Sequence, residues 1–181
     1  RFGDSVDGGL RVDTDAVPDL VAGAYAYDNG DIDRGAAWWI SGSWVEGLAR
    51  DNAAGWVLPT DAATASHLVP VSNRILGEAA RDEAGRGVAL VPDPQRSGRA
   101  LVAVGGRFAG AGAGGASLWR VTGGALESRP AVVIGGETLA PYGQLGDLLV
   151  GHPTEPWIAV GAPYGDAQWI DEGVIYPFVL P

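Results

Sequence analysis

The side chains of this chain that could do chemistry are mostly carboxylates, and they cluster. Asp13, Asp15 and Asp19 fall in the run Arg11-Val12-Asp13-Thr14-Asp15-Ala16-Val17-Pro18-Asp19, and a second group forms Asp28-Asn29-Gly30-Asp31-Ile32-Asp33. Closely spaced carboxylates can serve a hard cation, since calcium takes about six to eight oxygen ligands. The plainer reading of such runs is a solvated loop. Groups for covalent or acid–base catalysis are scarce. His67 and His152 are the only histidines, and Ser66 beside His67 on a strand would point to the opposite face. No Gly-x-Ser-x-Gly elbow, His-Glu-x-x-His or P-loop occurs, so no enzymatic activity is expected. Gly110-Ala111-Gly112-Ala113-Gly114-Gly115 fits a dinucleotide-binding pattern, but that fingerprint needs a helix after it. Here Ala116 to Val121 reads as a strand, and the glycines read as a flexible loop.

The elements that must hold these residues recur. Leu20-Val21-Ala22-Gly23-Ala24 precedes Gly35-Ala36-Ala37-Trp38-Trp39-Ile40, and Trp157-Ile158-Ala159-Val160-Gly161-Ala162-Pro163 precedes Gly173-Val174-Ile175-Tyr176-Pro177-Phe178. A weaker copy pairs Leu101-Val102-Ala103-Val104-Gly105-Gly106 with Gly115-Ala116-Ser117-Leu118-Trp119. Glycine-to-glycine separations of 12, 10 and 12 positions mark an internal repeat, which decides architecture before any single residue does. Phe2-Gly3, an acidic loop, Asp19-Leu20-Val21-Ala22-Gly23-Ala24 and a later glycine–aromatic strand resemble the FG-GAP repeat of integrin alpha chains and of many secreted bacterial proteins. The third copy keeps Gly161-Ala162-Pro163, the first has Tyr25 in place of the proline, and the second has lost both alanine and proline. Leu76-Gly77 and Tyr142-Gly143 are the matching starts of the later copies.

That resemblance implies an all-β fold of β-propeller blades, each of four antiparallel strands, with about three blades present. It divides the chain into blade 1 with an inserted outer segment (1–75), blade 2 (76–141) and an incomplete blade 3 (142–181). Strands are expected at Phe2 to Val6, Leu20 to Ala24, Ala36 to Ile40, Val88 to Val91, Ala100 to Gly105, Ala116 to Val121 and Ala131 to Ile134. Asp147 to Val150, Trp157 to Gly161 and Val174 to Phe178 complete the set. Trp44-Val45-Glu46 is read as part of an outer strand, and the stretch 44–75 carries no readable function. Three blades cannot close a ring when propellers have about four to eight. The missing blades are expected elsewhere in the parent protein, because a chain starting on Phe-Gly without methionine looks cut from something longer. The alternative is that several chains complete the circle.

In the FG-GAP family the acidic loop resembles an EF-hand loop. With Asp19 as its ninth position, the resemblance makes Asp13, Asp15, the carbonyl of Val17 and Asp19 the ligands of a weakly held calcium ion. Arg11 stands at the first ligand position and Ala16 where the turn wants glycine, so the alternative is that Arg11 pairs with the aspartates in place of the ion. Asp93 to Arg99 and His152 to Glu155 occupy the corresponding places in the other copies and have too few carboxylates for a cage.

Twenty-nine glycines and twelve prolines punctuate apolar runs instead of forming one biased block, which argues for many short strands joined by turns. A net charge of −10 disfavours nucleic acid, whose phosphates need a positive face. Without cysteine there is no disulfide or thiolate site, and no apolar run is long enough for a transmembrane helix. The expected function is a non-catalytic binding or scaffolding module of a secreted or cell-surface bacterial protein, holding loops toward a protein or glycan. The alternatives are a lectin, with Trp169, Asp31 and Asp33 as ligand-binding candidates, and a targeting propeller attached to a catalytic domain. Strand tryptophans such as Trp38, Trp39, Trp119 and Trp157 are expected to pack between blades.

Overall fold

A computed structural model describes residues 2–51, 73–109, 112–136, 143–165 and 172–181. Trp169, proposed above as a ligand contact, lies outside the described residues, as does most of 44–75. The protein is all-β and is built from antiparallel sheets. The first sheet holds β1 (Ser5–Gly8), β2 (Leu20–Ala24), β3 (Ala36–Ile40) and, after helix α1 (Gly42–Asp51), β4 (Arg74–Leu76), in spatial order β1-β2-β3-β4. The second holds β5 (Ala84–Pro92), β6 (Ala100–Gly106) and β7 (Gly115–Trp119). A ribbon of β8 (Val121–Thr122) and β9 (Ala125–Leu126) then leads to β10 (Val132–Gly135), giving the order β10-β7-β6-β5. The third holds β11 (Leu148–Gly151), β12 (Trp157–Ala162) and β13 (Val174–Val179).

The apolar runs become strands because they are covered on both sides. Every residue of β3 and of β6 is buried, so these segments read as unbroken hydrophobic stretches and not as alternating ones. Val21, Ala37 and Trp39 of the first sheet pack on Val88, Leu90 and Val102 of the second. The opposite face of the second sheet, with Val91, Leu101 and Leu118, packs on Leu149, Ile158, Val160 and Phe178 of the third. Each fully buried aliphatic contributes about 1.5–3 kcal/mol. Trp39 packs between the first and second sheets as expected of a strand tryptophan, whereas Trp38, on the opposite face of β3, packs against its own sheet and Trp44 and Val45 of α1 and not between sheets.

The spacing of the glycines has a packing cause. A Cβ on Gly23 would fall closer than 3.0 Å to the carbonyl oxygen of Gly85, and one on Gly105 would do the same to Gly146. Gly85 and Gly146 in turn lie against the backbone of Ala36 and Gly115, and both have positive φ (81° and 93°). Parallel bridges Gly35↔Ala84 and Gly114↔Leu145 repeat the contact once per sheet pair. The copies therefore meet backbone to backbone, and glycine is what lets them approach.

This geometry sets the register of the repeat. Gly3 has the same left-handed backbone (φ 81°) and donates to Gly23 O at 2.9 Å, as Gly146 does to Gly161 O at 3.0 Å. Ala84-Gly85 and Leu145-Gly146 are thus the structural counterparts of Phe2-Gly3. Leu76 is the last residue of β4 and pairs with Ala36, in the first sheet. Trp44-Val45-Glu46 is helical and not a strand: Trp44 and Val45 pack from α1 onto Ala22, Trp38 and Ile40. β1 begins at Ser5, later than Phe2, which leaves Phe2 free to meet the Trp38 ring edge-on at 5.1 Å.

Candidate functional site

The loops that follow β1, β5 and β11 leave the same end of the three sheets, and each solves the turn differently. In the β1–β2 loop, Asp19 is fully buried. Its Oδ2 accepts from the N–H groups of Val12 (2.7 Å) and Asp13 (3.2 Å), and its Oδ1 from Gly42 at the start of α1 (2.8 Å). A carboxylate at a helix start meets both the free N–H groups and the positive end of the dipole. Asp13 Oδ1 accepts from Asp15 N at 2.9 Å, and Asp15 Oδ1 from Val17 N at 2.8 Å. One carboxylate oxygen from each of Asp13, Asp15 and Asp19 can be chosen so that all lie within 4.8 Å of one another, among the described residues.

The electrostatics of this cluster are divided. Burial pushes Asp13 above the usual carboxylate range, and the charges of Asp19 and Asp15 push it further. Asp15 is held lower, chiefly by the Ser43 hydroxyl. Arg11 takes no part in neutralising the cluster: no ion pair joins it to these aspartates among the described residues, and its guanidinium lies toward Gly98. Arg99 of the second sheet instead donates to the carbonyl of Asp13, tying the two loops together.

The β5–β6 loop is held by a guanidinium from the residue that follows β7. Arg120 donates to buried Asp93 through Nε (2.6 Å) and Nη2 (3.0 Å), a two-pronged pair, while Gln95 N donates to Asp93 Oδ1 at 3.0 Å. Burial is the largest influence on Asp93 and would raise it, but the Arg120 hydrogen bonds, the Gln95 N–H and the charges of Arg120 and Arg96 together hold the group below the ordinary range. A carboxyl depressed in the folded state stabilises above its unfolded pKa and loses that contribution as pH falls through the folded one. Urea melts of the wild type are therefore expected to lose stability below about pH 4. Arg120→Gln is expected to cost about 2 kcal/mol at pH 7 and to flatten that acid dependence. In the β11–β12 loop, His152 Nδ1 accepts from Glu155 N at 2.9 Å, and the ring lies 4.8 Å from that of Trp157.

The three loops border one cleft of about 540 Å³, with Arg11, Pro18, Pro94, Ser97, Arg99 and Thr154 among its walls. That volume is within the range of about 300–1,000 Å³ usual for ligand pockets. Asp31 and Asp33 do not join it. They sit in the β2–β3 loop at the other end of β2, where Asp31 pairs with Arg34 at 3.2 Å and Asp33 N donates to Asp28 at 2.8 Å. The loops of Arg99 and His152 were picked out in the sequence, but the holding roles of these side chains and of Arg120 were not; an arginine just before β6 and another just after β7 were the available signal for the two arginines.

The fold and the cleft define an all-β protein of antiparallel sheets packed face to face, with converging hairpin loops at one end. No family model matches the chain, and no curated protein matches it.

Proposed function

We propose that this chain is a non-catalytic binding and scaffolding module of a secreted or cell-surface bacterial protein, its sheets being blades of an FG-GAP-type propeller. The observation that carries this reading is the convergence of three hairpin loops, unlike in sequence, on one cleft above sheets that repeat. Rigid strands with divergent loops are the usual arrangement for recognition. The ligand is a protein segment or glycan seated against Arg11, Ser97 and Thr154. A glycan array and a peptide array probed with the 181-residue chain test this. Binding abolished by Ser97→Trp, which fills the cleft, and retained by Asp31→Ala at the opposite end is the expected result. Two flat arrays, or binding indifferent to Ser97→Trp, would overturn it.

We further propose that Asp13, Asp15 and Asp19, with the Val17 carbonyl, hold calcium weakly. The three carboxylates are grouped closely enough, and the charges of Asp19 and Asp15 add to the burial that raises Asp13, a repulsion that a cation would relieve. At millimolar calcium, the range of extracellular modules, the melting temperature is expected to rise by several degrees. Asp15→Asn should keep the fold and lose that rise. Asp13→Asn should be more stable than wild type in EDTA, because its amide oxygen can still accept from Asp15 N while the repulsion is gone. No shift in the wild type at millimolar calcium removes the metal.

A further inference from the structure

The chain carries 22 acidic residues against 12 arginines, so a guanidinium without a carboxylate partner stands out. Arg34, Arg86, Arg96, Arg107 and Arg120 are each ion-paired. Among the described residues Arg11 and Arg99 have no carboxylate partner, and both line the cleft on which the three loops converge. Arg99 donates through Nη1 to the Asp13 carbonyl, which leaves its Nε and Nη2 open, and the Arg11 guanidinium has no partner among the described residues. The two side chains leave neighbouring backbone. Ala100 N donates to Arg11 O at 2.7 Å, and Arg11 Nη2 would be 3.5 Å from a Cβ on Gly98.

The carboxylates at this end of the sheets are engaged elsewhere. Asp13, Asp15 and Asp19 accept from backbone N–H groups of their own loop and of α1. Asp93, the one acidic side chain among the fourteen described wall residues of the cleft, is matched by Arg120. Five of those fourteen are prolines, which have no N–H to offer a ligand. The charged donors of the cleft are therefore the two guanidiniums, with the Ser97 hydroxyl on the same wall. A guanidinium presents a planar fork that fits a carboxylate through two parallel hydrogen bonds.

We propose that the cleft takes an acidic protein segment, whose carboxylates Arg11 and Arg99 hold. The proposal rests on the cleft being the binding site of the module, and it names the chemistry of what binds there. Two observations favour a protein segment over an acidic glycan. No aromatic ring is present among the described wall residues, and an aromatic face is the usual platform for a sugar ring. Proline rings suit the aliphatic parts of a peptide instead. Ser97 and Arg99 also border a second hollow of about 320 Å³, walled in part by Thr122, Gly123 and Gly124 of the β8–β9 ribbon. The two hollows adjoin at Arg99, so an extended chain can run from one into the other past the guanidinium.

Fluorescence anisotropy of labelled hexaglutamate, hexaglutamine and hexagalacturonate, titrated with the 181-residue chain in EDTA, tests this. Hexaglutamate is expected to bind with a Kd of about 100 μM or tighter, and hexaglutamine about tenfold or more weakly. Raising the salt to about 1 M, where the screening length falls to about 3 Å, should remove most of the binding. Arg11→Gln changes an exposed side chain without a partner among the described residues, so it should keep the wild-type melting temperature. It should weaken hexaglutamate by about tenfold, and Arg11→Lys should recover only part of that, because an ammonium lacks the fork. Arg81→Gln, at the opposite end of the sheets beside Ile32, should bind as the wild type does. Equal weakening by Arg81→Gln, no hexaglutamate binding at about 1 mM, or tighter binding of hexagalacturonate overturns the proposal. So does an array ligand without carboxylates whose binding Ser97→Trp abolishes and Arg11→Gln leaves untouched, a result under which the binding module itself stands. Two flat arrays remove both readings.

Discussion

Gly105→Ala is expected to destabilise the protein by about 3 kcal/mol or more, and Gly105→Val to prevent folding at 37 °C. Gly161→Ala, the same change at the equivalent position of the third sheet, should cost less than about 1 kcal/mol. The two glycines share a strand position, and neither has the positive φ that would itself forbid alanine. They differ in what stands opposite. A methyl on Gly105 would enter the carbonyl oxygen and carbon of Gly146, which are backbone atoms and cannot rotate away. Yielding would mean moving β11 from β5 and opening the layer formed by Val91, Leu101, Leu149 and Val160. A methyl on Gly161 meets Leu148 Cβ at 3.1 Å, on a side chain at the open face. Urea melts of the two variants measure the difference. Similar costs would show that backbone contact between sheets does not set the glycine spacing.

The same contact explains what was legible in the sequence. β2, β6 and β12 follow from apolar runs with glycine at or next to their end and β3 from one that glycine precedes, because extensive burial leaves a local mark in composition. Their observed spans differ from the expected ones by a residue at most. The start of each copy was harder to find. Leu76-Gly77 imitates Phe2-Gly3 in residue type, but the requirement is a left-handed backbone against the preceding sheet, which Ala84-Gly85 meets without an aromatic residue. Trp44-Val45-Glu46 misled for a related reason. Tryptophan and valine favour strands, whereas the helix there is anchored by Asp19, 23 positions before Gly42. Among the candidate site residues, the Asp13–Asp15–Asp19 grouping was readable because it is local in the chain. The Arg120–Asp93 pair and the Arg99 bond to Asp13 span 27 and 86 positions and depend on neighbouring loops converging.

Asp19→Ala is expected to cost about 4 kcal/mol and to abolish any response to calcium. The carboxylate has no access to solvent and accepts from three backbone donors that belong to two elements, the β1–β2 loop and the first turn of α1. Alanine would leave the N–H groups of Val12 and Gly42 buried without a partner, at about 1–3 kcal/mol each, and that of Asp13 partly so. Asp19→Asn should recover only part of the loss, since one half of an amide is itself a donor and would face a donor. Melting curves with and without calcium separate the two roles of this loop. Asp15→Asn should lower only the calcium-dependent part, while Asp19→Ala lowers the melting temperature even in EDTA. Hydrogen exchange should show the Gly42 amide losing protection along with Val12. If Asp19→Ala retains the EDTA melting temperature of the wild type, the buried carboxylate does not organise the loop. The Val12 and Gly42 amides must then have other acceptors, and the cleft wall carrying Arg11 and Pro18 would not depend on Asp19.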